Sequence, residues 1–234
     1  MLQLSREFAG LAEQISGPGD NAATLQQMVE LAVKTIEGSR YATVSVLRGK
    51  QSSLLAASDQ VGARLEQLQN ELDEGPTLAA ARQNEDIVIG DLASEPRWRR
   101  FAELAIRATD VRSVLTFRLA GAHPSVLTIY GRDATGFSED ALHTATIFAA
   151  QAATLVALLA AEDHSANLET ALQSSREIGI ALGILMAHRK VTHEDAFDLL
   201  RSASQNLHRK LRDVASEVME TGTLPDLPPK RIES

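Results

Sequence analysis

Residues 209–212 read Arg-Lys-Leu-Arg, so Arg209, Lys210 and Arg212 form a local basic cluster. Cations this closely spaced can neutralise phosphates and release their counterions, the electrostatic basis of nucleic-acid binding. The chain as a whole is not a generic nucleic-acid binder, because its formal net charge is −8 and such binders cluster Lys and Arg widely. The charge is unevenly spread. The first 165 residues hold 14 Lys and Arg against 21 Asp and Glu, whereas residues 166–234 hold 9 against 10. Nucleic-acid chemistry therefore has one place to sit, a small patch in the near-neutral C-terminal part.

A second pattern lies upstream. Ser175, Gly179, Gly183 and Ala187 recur every four residues, which puts a stripe of small side chains on one helix face. Each glycine costs a helix about 0.8–1 kcal/mol relative to alanine, so a helix that keeps two needs some return. Close packing of another helix is one such return; close approach of a ligand backbone is the alternative. Other chemistry is missing from the sequence. There are no cysteines, which excludes disulfides, Cys-ligated zinc, iron–sulfur clusters and thiol nucleophiles. The six histidines are scattered, and His188 and His193 lie five apart without the spacing of paired metal ligands. No Gly-rich phosphate loop, Ser/His/Asp arrangement or paired-carboxylate signature stands out. The expectation is a protein that binds rather than catalyses, with no metal and no cofactor.

The elements that position these residues follow from periodicity. At 234 residues, 44% hydrophobic and 23% charged, the chain suits two globular domains. Residues 3–15 read as a helix, ended by the breaker SGPGD. Leu25, Met28, Val29, Ala32, Val33 and Ile36 predict a helix over 21–37. Segments 41–49 and 52–58 read as a strand and its hairpin partner, and 60–70 as a short helix. A loop and short helix fill 71–83, and 86–92 is a further strand. A loop then a helix fill 94–111. Strands at 112–120 and 125–132 are joined by a turn at GAHP, and Ser138 begins a helix. The sum is an α+β domain, with five or six mostly antiparallel strands and helices at both ends.

From Ala141 to Ala161 no residue is charged, a run long enough to span a bilayer. His143, Thr144, Thr146, Gln151 and Thr154 interrupt it, and acids rather than basic anchors flank it. A helix buried against the sheet and a partner chain fits better. Leu168, Leu172, Ser175, Ile178, Leu182 and Leu185 then run at spacings of three and four, a long helix of coiled-coil character. After a break at 188–190, Thr192 and Asp195 form a capping-box-like pair. Ala196, Leu199, Leu200 and Ala203 mark a second helix. Leu211, Val214, Ala215, Val218 and Met219 mark a third, ended at Gly222. The expected domains are 1–161, 162–222 and a Pro-rich flexible tail, 223–234.

The segments SREIGIALGILM (175–186) and VTHEDAFDLLRSASQNLHRKLRDVASEVMETG (191–222) resemble the ANTAR domain over roughly residues 165–222. ELDEGPTLAA, the DLASEPRW segment and RSVLTFRL resemble the GAF half of actinobacterial GAF–ANTAR regulators. The resemblance implies a GAF-like α+β domain of mostly antiparallel sheet flanked by helices, then a long coiled-coil helix and an all-α three-helix unit. It implies an RNA-binding transcription antitermination regulator, a homodimer that holds two adjacent hairpins with six-base loops in nascent RNA and blocks an overlapping terminator. Two linked weak sites gain effective concentration, so modest charge suffices.

By position, the resemblance assigns RNA contact first to Arg209, Lys210 and Arg212. Arg176, Arg189 and Arg201 become supporting phosphate contacts, and Gln205 and Asn206 become readers of base edges. Two residues depart from the family. Leu182 stands where Lys or a small aliphatic residue is common, so one RNA contact is expected to be absent. His208 stands where Asn is usual; Asn suits the cap of the third helix, whereas His caps poorly and would instead stack on a base or meet a phosphate. Relatives frequently carry Cys at the position of Thr77, so thiol-based sensing and covalent chromophore attachment are excluded here. Trp98 and Arg99 are candidates to line a GAF pocket, with a packed Trp98 as the alternative. The GAF half is a sensor for an unassigned small molecule or a dimerisation platform. The competing reading is a protein-interaction module that never meets RNA. The start MLQLSREFAGLAEQ has no basic residue followed by an apolar run, so the expected location is the cytoplasm, with no membrane.

Overall fold

Period-two alternation builds the first half of the protein. In the computed structural model, which describes residues 20–121 and 123–225, β1 (Ser39–Arg48), β2 (Gln51–Ala57), β3 (Ile87–Ile89), β4 (Ser113–Leu119) and β5 (Ser125–Gly131) form one sheet. The order is β2-β1-β5-β4-β3 and every neighbouring pair is antiparallel. Ala42, Val44, Leu115, Leu127 and Ile129 point to one face; Tyr41, Val114, Val126 and Tyr130 point to the other. The helix expected over 3–15 and the tail beyond 225 lie outside the described residues.

Helices cover both faces. On the first, α1 (Asn21–Thr35) contributes Leu25, Met28, Val29 and Ala32. Beside it packs the start of α5 (Glu139–Arg189), through Ala141, Ala145, Phe148, Ala152 and Leu155. The 4-3-4-3 spacing of those five residues is one helical stripe, and its alanines let the backbone lie close to the sheet. The uncharged run is thus a core helix, although α5 holds a window long and apolar enough to cross a membrane. On the second face lie α2 (Gln60–Leu72), α3 (Pro76–Gln83) and α4 (Arg99–Ala108), with Leu65, Ala79, Ala80, Phe101 and Ala105 buried.

Local chemistry sets the ends. The Asp20 carboxylate accepts from the Ala22 and Ala23 N–H groups and starts α1. The Ser138 hydroxyl accepts from Ala141 N–H and starts α5. The strand expected over 86–92 is shorter, because Asp91 accepts from Ala93 N–H and opens a 3-10 turn at Leu92–Ser94.

The chain divides into two compact units, Met1–Ala161 and Glu162–Ser234. In the second, the end of α5, α6 (His193–Leu207) and α7 (Leu211–Thr221) share a core. It is built from Ala181, Leu182, Leu185, Ala196, Leu200, Ala203, Val214, Ala215 and Val218. The capping box forms with the shorter acid: Thr192 Oγ1 accepts from Asp195 N–H at 3.2 Å and Asp195 Oδ2 from Thr192 N–H at 3.3 Å. Gly222, just past α7, lies against His188 at the end of α5. Arg212, at the start of α7, lines a groove with Gln173 and Glu177 further upstream. So α7 runs alongside α5 in the same direction and α6 returns between them.

Candidate functional site

The turn between α6 and α7 carries most of the singled-out residues. His208 takes the left-handed conformation (φ 53°, ψ 36°). Its N–H bonds to the Gln205 carbonyl at 3.3 Å, and Arg209 N–H reaches back to the Ser204 carbonyl at 3.1 Å. This pair of bonds is the Schellman closure of a helix, and its left-handed residue is usually Gly, sometimes Asn. His208 therefore ends the second helix and does not cap the third, which corrects the reading from sequence. An Asn there would be favoured for its tolerance of positive φ. The His208 ring is also engaged, with Nδ1 2.8 Å from the Gln205 carbonyl oxygen.

The residue preceding α7 is Lys210, whose extended backbone offers its carbonyl to Asp213 and Val214 N–H. No side chain caps this end. Arg209, Lys210 and Arg212 thus crowd the positive end of the α7 dipole, where cations are unfavourable by a few tenths of a kcal/mol each (about 0.3–1). Only Asp213 offsets them in the first turn. An end so arranged favours an anion electrostatically.

The cations differ in what they touch. Arg209 Nη1 binds the Glu217 carboxylate, and Nη2 donates to the Asp213 carbonyl at 3.4 Å. Arg212 Nε meets Asp213 Oδ1 at 3.3 Å, and Arg201 meets Asp198 at 2.9 Å. Lys210, Arg176 and Arg189 are exposed and make no ion pair among the described residues. Gln205 and Asn206 are exposed on the last turn of α6.

Gln205, Asn206, His208, Arg209, Lys210 and Arg212 are therefore gathered within eight residues. Arg176 lies on the stretch of α5 beside the start of α7, but it does not line the groove that Arg212 does. Arg189 is not part of the cluster: it lies about 20 Å further along α5 at 1.5 Å per residue, near the far end of α7. There it adjoins Lys190, a cation that reading the sequence passed over and whose φ is 53°. Leu182 is 4% exposed and fills the three-helix core. Its position faces inward, so it is no lost RNA contact.

The small-residue stripe faces outward. Ser175, Gly179, Gly183 and Ala187 are exposed, and a Cβ built on Gly179 or Gly183 meets nothing within 4 Å. Leu168 and Leu172 are likewise exposed.

In the first unit a polar cluster lies under α2 and α3, on the second face of the sheet. Glu66, 2% exposed, accepts from Thr43 Oγ1 at 2.8 Å, Tyr130 Oη at 2.8 Å, Thr77 Oγ1 at 3.0 Å and Ser45 Oγ at 3.3 Å. Gln69 Nε2 donates to Thr77 and Tyr130, both at 3.0 Å. The ionised Glu66 carboxylate can only accept, so both hydroxyls donate to it while accepting from Gln69. Burial pushes the Glu66 carboxyl above its usual range despite these donors. Burial and the adjacent Glu66 carboxylate hold the Tyr130 phenol well above its own. Trp98 is buried beneath the Arg97 guanidinium, 4.3 Å from the ring centroid. Arg99 alone of that pair lines a surface cavity of about 650 Å³, with Glu95, Glu103 and Arg107.

Two family models match the chain: the GAF domain over residues 20–157 and the ANTAR domain over residues 166–219. No curated protein matches. Among solved structures, the chain is similar to the GAF domain of an Acinetobacter phosphoenolpyruvate-protein phosphotransferase. Identity is 17% over 68% of this chain and 95% of that one, with a TM-score of 0.52. It is similar also to the GAF domain of the Coxiella burnetii phosphoenolpyruvate-protein phosphotransferase, at 14% identity over 67% and 94%, with a TM-score of 0.53. At these identities the likeness shows the fold alone. The chain belongs to the GAF family and bears an ANTAR domain after its GAF domain, the GAF–ANTAR architecture of regulatory proteins.

Proposed function

We propose that the protein is an RNA-binding transcription antitermination regulator that works as a homodimer on paired hairpins with six-base loops. The observation that carries this reading is the uncapped, cation-flanked start of α7, with Lys210 exposed and unpaired among the described residues. Phosphates of a splayed loop suit such an end, and Gln205 and Asn206 stand one turn away to meet base edges. Residues 162–222 are the RNA-binding part; Arg176 and Arg201 extend the surface, and Arg189 reaches RNA only as a second, distant contact. The second copy lies along the open α5 face of Leu168, Leu172, Gly179 and Gly183, where small residues admit a close helix. The GAF half acts as sensor or dimerisation platform, and the mechanism has no covalent step. Exchange with nascent RNA places its action in the cytoplasm.

The pairing of Arg201, Arg209 and Arg212 with nearby acids favours a second reading, a module that docks on protein instead. Fluorescence anisotropy of the full chain with a labelled hairpin, competed by the unlabelled native hairpin, by duplex DNA and by a loop-scrambled hairpin, separates them. The RNA reading expects competition only by the native loop. Equal competition by all three, or no binding, would support the protein-docking reading.

A further inference from the structure

We infer that Arg209 is a positioning residue that clamps the α6–α7 turn, while Lys210 and Arg212 meet the RNA. This rests on the RNA reading for its consequence and on geometry for its cause. Both backbone groups of Arg209 and two of its guanidinium nitrogens are committed within the protein. Its N–H donates to the Ser204 carbonyl at 3.1 Å, and its carbonyl accepts from Ser204 Oγ at 2.6 Å. Its guanidinium lies back along α7, on the Glu217 carboxylate eight residues ahead and on the Asp213 carbonyl at 3.4 Å. The backbone of Arg209 is thus tied to the end of α6 and its side chain to the first two turns of α7. Between these ties stand two residues that need holding: His208, with φ 53°, and Lys210, the uncapped residue before the helix.

Turning the Arg209 Nη1 that holds Glu217 to a phosphate would break that pair and leave the carboxylate, which is only 33% exposed, facing the same phosphate. Lys210 has no such tie among the described residues. Among the described residues Arg212 is held by its sequence neighbour Asp213 alone, at 3.3 Å. The geometry therefore divides three adjacent cations into one that fixes the turn and two that the turn presents.

The test compares Arg209→Ala, Glu217→Gln, Lys210→Ala and the charge exchange Arg209→Glu with Glu217→Arg, in the full chain, against a two-hairpin six-base-loop RNA over a salt series. Lys210→Ala should lower the slope of log K on log salt by about 0.7–0.9, one phosphate contact. Arg209→Ala should weaken binding about two- to fivefold, the size of an exposed ion pair, with the slope unchanged. Glu217→Gln leaves the Arg209 charge in place and should also weaken binding, and the charge exchange should recover most of the loss. A reduced slope in Arg209→Ala, tighter binding by Glu217→Gln, or no recovery on exchange would overturn the clamp. Amide hydrogen exchange at 208–211 supplies an RNA-free readout. It should quicken in Arg209→Ala and Glu217→Gln and return in the exchange. Unchanged rates refute the clamp, whereas quickened rates in a protein that binds no hairpin refute only the RNA reading.

Discussion

Replacing Glu66 by Gln should stabilise the first unit, and by more at pH 8 than at pH 5. Among the described residues the buried carboxylate has no cation beside it and is held by the hydroxyls of Thr43, Ser45, Thr77 and Tyr130. A Gln Oε1 keeps the three donors on one oxygen, and its Nε2 can donate to Ser45 Oγ, so only the charge is removed. An ion taken out of water costs several kcal/mol even after relaxation, and hydrogen bonds to a charge return about 1–2 kcal/mol each beyond neutral ones. Burial wins that contest, since the Glu66 carboxyl titrates above its usual range. Every tenfold weakening of the acid on folding corresponds to about 1.4 kcal/mol of gain at pH 8, equivalent to roughly 3–6 °C in Tm for a unit of this size. The sign of the pH dependence is fixed by linkage. With its folded pKa raised, Glu66 contributes stability that is full below the ordinary glutamate range and lost as pH rises through the folded value. The variant lacks that loss, so the two melting curves lie close at pH 5 and separate towards pH 8. Differential scanning calorimetry of the full chain at both pH values measures the gap. A gap that does not change with pH, or a lower Tm for the variant at pH 8, would refute the reasoning. Glu66→Ala should act oppositely, costing about 3–5 kcal/mol through a cavity and stranded hydroxyls.

Three further outcomes are expected. His208→Asn should raise the stability of the second unit by about 0.5–1 kcal/mol, as relief of positive φ outweighs the lost ring contact, read as a rise in its thermal midpoint. The Cβ that Gly179→Leu adds meets nothing within 4 Å among the described residues; the change should leave helicity unchanged or higher by circular dichroism, yet disrupt the proposed dimer in sedimentation equilibrium. Gly75→Ala should destabilise the first unit by about 2 kcal/mol or more, because φ is 145° and the new Cβ would lie 2.3 Å from Gln69 Oε1. Urea titration measures this change.

The sheet was legible because its apolar face alternates cleanly, as in Ala42 and Val44 or Leu127 and Ile129. The same alternation hid the polar cluster. Thr43, Ser45, Thr116 and Thr128 alternate with those residues, and a run of inward hydroxyls on three strands was the available signal for a buried acid on the facing helix. Glu66 itself reads as an ordinary surface residue of a short helix, since nothing local marks it as buried. The α6–α7 turn was legible in its residue types but not in its roles. Spacing shows that Arg209, Lys210 and Arg212 are close; it cannot show that Arg209 folds back on Glu217 or that His208 adopts positive φ. Leu182 was misread because family habit at a position says less than the local period, which places it with Leu185 in the core. The open α5 stripe was legible as a packing face, and no described residue covers it.

The central claim is that two copies of a weak site grip two loops at once. The most direct measurement is the affinity of the full chain for an RNA with two six-base-loop hairpins, set beside the same RNA with one loop scrambled. Linkage of two sites should raise the two-loop affinity about a hundredfold or more over the one-loop affinity, and Lys210→Ala should weaken both. Equal affinity for the two RNAs, or binding indifferent to Lys210, would contradict the account.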